Sequence, residues 1–288
     1  MSGERKIAGA AVSIFALRRE GGSGSGDFGC LPLAAGLASL AHLTQIRLTD
    51  VFDSVMEVGQ GPIFPVCINL DDLPPLAIRA KADEYATRAA ELEAAEEFDY
   101  DKVYNLKMHV LQDLYRQDGD STLASDAYHA FWRANRSWLD RYAAYCTLRH
   151  KYGTGEARFW SEPAYERLLE DAHFIREYSE DLRFHCYVQF LLSQQLASAL
   201  EAARSLEIEI IPCGSGSDWE DDDLAQMQPW EAEEVVRQRL HEGASPVILP
   251  LDSLLAVTSL GPGLTLEKLL AHRALLGCIA KMIDESLK

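Results

Sequence analysis

Gly24, Gly26 and Gly29, spaced one and two residues apart, match the GxGxxG pattern with which a backbone loop cradles a pyrophosphate. The loop follows an apolar run, Ala11 to Leu17, rich in β-formers, which reads as a buried strand. Asp50, after a second strand candidate at Thr44 to Leu48, can serve as the ribose-binding acid of such a site. Arg18, Arg19 and Glu20 lengthen the loop before its glycines, however, and the nucleotide version needs a short turn into its helix. A plain loop is therefore the better reading, and no cofactor is expected. Asp50, Asp53 and Asp218 are the acids that lie just after strands, where barrel folds gather their chemistry; loop capping is the more ordinary role for such acids. GxSxG, HExxH and P-loop motifs are absent. The histidines fall mostly within predicted helices, where structural or surface roles predominate. Cys30, Cys67, Cys146, Cys186, Cys213 and Cys278 are scattered, with neither a CxxC pair nor histidines at zinc spacing. They read as reduced core thiols, and no metal is expected.

The elements that must position these residues follow from periodicity. The first strand, a helix from Leu33 to His42 and the second strand make a βαβ unit, which implies a parallel sheet. Residues 51 to 73 are irregular, and Pro74-Pro75 ends them. From Leu76 to about Leu206 glycine becomes rare and apolar residues recur at helical spacing. Helices are expected at Ala80 to Glu97, Tyr100 to Tyr115, Ala127 to Trp138, Leu139 to Tyr152, Glu162 to Glu170 and Ala172 through Leu206. Phe131, Trp132, Trp138, Tyr142 and Tyr145 fall at helical spacing, and a core stripe outweighs a sugar-stacking surface. Strands are expected again at Glu207 to Pro212 and Pro246 to Leu251, with helices at Glu231 to His241 and Leu266 to Leu287.

With 27 basic and 45 acidic side chains the net charge is −18 over 288 residues. Such a surface repels nucleic acid and anionic lipid. Part of the acid is local, at Asp218, Glu220, Asp221, Asp222 and Asp223, and a solvated loop is the simplest account of it. No apolar run is long enough to cross a bilayer. Glu4 and the lack of a clear cleavage site argue against a leader, so a cytoplasmic protein is expected.

The order of pieces resembles a known family. Ala11 to Gly29, AVSIFALRREGGSGSGDFG, resembles the opening strand and "GIGDFGDL" loop of 4-α-glucanotransferases (amylomaltases, or disproportionating enzymes). TQIRLTDVFDS is similar to their second strand, and GPIFPVCINLDDLP to "SSVFALNPLYISLDDL". In the helical block, FDYDKVYNLKMHVLQDLY resembles "VDYEAVLALKRRALRKLY", and FHCYVQFLLSQQLASALEAARSLEIEI resembles "FHRFLQFLLDRQWRALREYANERGI". The plant cytosolic-type branch looks most similar. After residue 223 the resemblance jumps to the family's last barrel elements, at Glu233 to Ser259.

The resemblance implies a (β/α)₈ barrel with a helical insertion, but here with the central catalytic segment missing. Neither the family's "RIDH" nor its "HD" motif occurs in the sequence. The expected fold is thus a truncated, barrel-like half barrel of α/β class, with about four parallel strands and a large helical insertion. Its parts are residues 1–74 (barrel-like), 75–184 (helical insertion) and 185–288 (remaining barrel-like part and C-terminal helix). No catalytic residue is assigned. Asp27, Phe28, Asp50 and Asp53 are the candidates for a residual glucan-contact loop. The expected role is a non-catalytic structural or scaffold subunit, with a protein partner or large assembly covering the open sheet edges. The alternatives are a glucan-binding pseudoenzyme, or a transferase for malto-oligosaccharides that a partner completes.

Overall fold

The computed structural model describes residues 8–53, 61–95, 98–160, 165–214, 247–250 and 265–267, with single positions at 277, 280, 281 and 284. The acids at 218–223, Asp218 among them, and the helix expected at Glu231 to His241 lie outside these residues. So does most of the terminal helix.

Strand β1 is Ala8–Ser13, helix α1 Leu31–Leu40 and β2 Gln45–Phe52. Helices α2 (Arg79–Glu93), α3 (Tyr100–Leu123), α4 (Asp126–Tyr152), α5 (Tyr165–Leu168), α6 (Ala172–Glu177) and α7 (Ser179–Arg204) follow. Strands β3 (Glu209–Gly214) and β4 (Val247–Pro250) complete the order. The strands are parallel and ordered β3-β2-β1-β4. β1 includes Ala8, Gly9 and Ala10 ahead of the expected Ala11; these are buried small residues whose strand state comes from packing and not from propensity. The stretch expected as two helices, 127–138 and 139–152, is one helix. Ser125 caps its start by accepting from Tyr128 N, and Gly153 ends it at φ 66°. The long helix expected from Ala172 is split at Tyr178.

The main core joins the sheet, α1 and α7 through Ala10, Val12, Leu31, Leu48, Tyr187 and Leu192. A second cluster, with Trp138, Tyr142, Tyr145 and Trp160, lies around α4, so the aromatic stripe of that helix is core. Two glutamines on α7 hold the irregular segment before α2. Gln189 accepts from Ile63 N and donates to Ile63 O at 2.9 and 2.8 Å; Gln195 does the same with Asn69 at 2.8 and 2.9 Å. Each side-chain amide stands in for a neighbouring strand. This accounts for the QFLLSQQ run.

The sheet flanks have a feature set by proline. Leu48 pairs with Pro212, and Ala11 with Pro250. In each pair of a parallel ladder one residue makes both bonds, and proline, lacking an N–H, cannot be that residue. Leu48 and Ala11 therefore make them, and both prolines turn their nitrogens to the outer flank. Glu209 N, donating to Thr44 O at 3.0 Å, sets the same alternation in β3.

Candidate functional site

The glycine loop is filled by the protein itself. A Cβ on Gly26 would sit 1.9 Å from Ile14 O, and one on Gly24 (φ 83°) would sit 2.6 Å from Leu92 O. Gly24 N also donates to Glu93 Oε2 at 2.9 Å. The spacing that resembles a nucleotide cradle thus serves close approach of the loop to the turn after β1 and to α2.

Asp27 and Phe28 are each 2% exposed. Asp27 accepts from Gly29 N at 3.0 Å and pairs with Lys107 Nζ at 3.3 Å. Lys107, from the middle of α3, has no solvent exposure and donates to Val66 O and Ile68 O, both at 2.7 Å. Arg19 Nε lies 3.8 Å from the same carboxylate. These contacts tie the loop, α3 and the segment before α2 into one knot.

The other two candidates lie at the C-terminal end of β2. Asp50 is half-buried at φ 60°, where the β2–β3 register shifts, and accepts from Thr49 Oγ1 at 3.1 Å. Asp53 is buried and accepts from Tyr142 Oη at 3.1 Å. Burial first, and then Cys146 and Asp53, hold the Tyr142 hydroxyl well above its ordinary pKa, so it stays a neutral donor.

At this same end the structure gathers an aromatic run that sequence reasoning missed. Phe15, just after β1, stacks on Phe98 at 5.7 Å and meets Phe64 at 6.2 Å. Tyr100 lies edge-on to Phe98 at 6.4 Å and stacks on Tyr104 at 5.9 Å. Arg149 caps the run, with its guanidinium 5.7 Å from the Tyr104 centroid. Burial raises the Tyr104 pKa to about 12. Phe98 is 42% exposed. Asp99, which caps α3 by accepting from Lys102 N, sits between Phe98 and Tyr100 and fixes how they enter the run. Two aromatics flanking a helix cap was the one local signal for it. Such faces stack on the apolar faces of flat or ring-shaped ligands.

A parallel sheet with its polar and aromatic face at the strand C-terminal ends defines a partial α/β barrel. The sequence profile of 4-alpha-glucanotransferases matches residues 12–246, and the chain belongs to that family. It is 24% identical over 259 residues to 4-alpha-glucanotransferase DPE2 of Oryza sativa subsp. japonica, a match covering 83% of this chain and 26% of that protein. The chain therefore spans about a quarter of the rice protein's length. Among solved structures it is similar to amylomaltase from Streptococcus agalactiae in complex with acarbose. That match has a TM-score of 0.55 and 15% identity, covering 72% of this chain and 43% of that one. Amylomaltase from Corynebacterium glutamicum gives 0.52 and 19%, covering 72% and 30%. At these identities the structural likeness speaks for the fold.

Proposed function

We propose that this chain is a non-catalytic member of its family, a half barrel that binds carbohydrate at its strand-end face and works as a subunit of a larger protein assembly. The carrying observation is what the strand ends hold. Retaining glycosyl transfer needs two carboxyl groups about 5–5.5 Å apart, one to attack the anomeric carbon and one to donate a proton. Here Asp53 is buried on Tyr142 and Asp27 on Lys107, and neither the Arg-Ile-Asp nor the His-Asp sequence occurs. The aromatic run from Phe98 to Tyr104 supports binding of malto-oligosaccharide without turnover. No described helix is long and apolar enough to cross a membrane. Cys30, Cys67, Cys146, Cys186 and Cys213 are free thiols, which supports a cytoplasmic setting.

A partner would pack on a face and not extend the sheet, since Pro212 and Pro250 offer no N–H at the outer flanks. The test is disproportionation of maltotriose by the purified chain beside calorimetry with maltoheptaose. Binding without glucose release is expected. Turnover by the purified chain would refute the non-catalytic reading, and turnover only after adding native extract would favour a partner-completed transferase. Elution from native extract as a free monomer would refute the assembly role.

A further inference from the structure

Arg149 stands in the last turn of α4, half-buried against Tyr104. Among the described residues no carboxylate lies within ion-pair distance of its guanidinium; of the two acids at this end, Asp50 accepts from Thr49 and Asp53 from Tyr142. Arg149 stands beside His150 and Lys151 in a chain of net charge −18. His185 is held at about 3, by burial first and then by His150 and Arg149. The C-terminal end of a helix offers roughly half a negative charge, and the last turn of α4 sets Arg149, His150 and Lys151 against it. Beyond that helix end Arg149 has no carboxylate partner among the described residues, and what adjoins it is an aromatic run.

We propose that the Arg149 end of the run receives the phosphate of a phosphorylated sugar. The sugar packs along the edge of the run next to Arg149, and the phosphate oxygens accept from the planar guanidinium in the two-pronged way that arginine favours. This rests on the carbohydrate-binding reading above. A free sugar phosphate and a phosphate ester on a glucan share this chemistry.

The test is calorimetry on the full chain at low salt with four ligands: maltoheptaose, phosphorylated maltodextrin, glucose 6-phosphate and inorganic phosphate. At least one phosphorylated sugar is expected to bind about tenfold tighter than its neutral counterpart, a difference of about 1.4 kcal/mol. Which of the two binds identifies the source. In Arg149→Leu the difference should vanish, and in Arg149→Lys part of it should return, with thermal melting confirming that both variants fold. Equal binding of phosphorylated and neutral sugars would overturn the proposal. So would a preference that survives Arg149→Leu, or inorganic phosphate binding as tightly as the phosphorylated sugar. Failure of maltoheptaose alone, with an Arg149-dependent phosphosugar signal intact, would count against neutral-glucan binding and leave this inference standing.

Discussion

Lys107 shows how a motif can be kept for architecture. Its ammonium group is fully enclosed by Asp27 and the carbonyls of Val66 and Ile68. Replacing it by Met strips the buried Asp27 of its ammonium partner, leaving Gly29 N and the more distant Arg19, and orphans two carbonyls; removing one partner of a buried pair costs about 3–5 kcal/mol. Urea unfolding of Lys107→Met should show a loss of that size; a loss below about 1 kcal/mol would mean that water reaches Asp27. Gln189 is a gentler case. Gln189→Leu orphans the N–H and C=O of Ile63, and about 1–3 kcal/mol is expected by the same measurement. Gly26 tolerates no side chain, because the atom in the way is the Ile14 carbonyl, part of the backbone.

Among the elements, the flank strands β3 and β4 bear most on assembly. Among the described residues β3 and β4 are the outer strands of the sheet; open strand flanks invite pairing with other chains, and outward-facing proline blunts them. Pro212→Val would restore an outward N–H at the middle of β3. Concentration-dependent self-association should then rise in light scattering, with the urea midpoint nearly unchanged. Unaltered scattering would mean that the β3 flank is covered by something else. Helix α4 shows a second element-level effect. One face builds the core around Trp138 and Tyr142, and its last turn delivers Arg149 to the aromatic run.

For the whole molecule, His185 gives a pH test. Its pKa falls from the ordinary 6.5 to about 3 through burial, then His150 and Arg149. The unfolded chain therefore binds a proton below pH 6.5 that the folded chain refuses. The stability associated with this group is fully present above pH 6.5 and is lost as pH falls toward 3. His185→Gln should lose less stability than the parent between pH 6.5 and 4, read from urea midpoints; identical slopes would show that His185 titrates freely. The net charge of −18 acts on the same scale, and salt should weaken phosphosugar binding by screening Arg149.

Local pattern determined the secondary structure and the family. Helical spacing placed α2, α3 and α4 to within a turn at their starts, and the alternation of strands and helices placed the parallel sheet. The absence of the catalytic motifs is a property of the sequence alone. The GSGDFG loop was legible as a motif and not as a contact, because the partners of its residues, Leu92, Asn69 and Lys107, lie far along the chain. The same holds for the aromatic run. Phe15, Phe64 and the Phe98–Tyr104 stretch come from three separate segments, and only folding brings their rings within stacking distance. Tertiary structure also decided which way Pro212 and Pro250 face, since ladder register, not composition, sets where a missing N–H points.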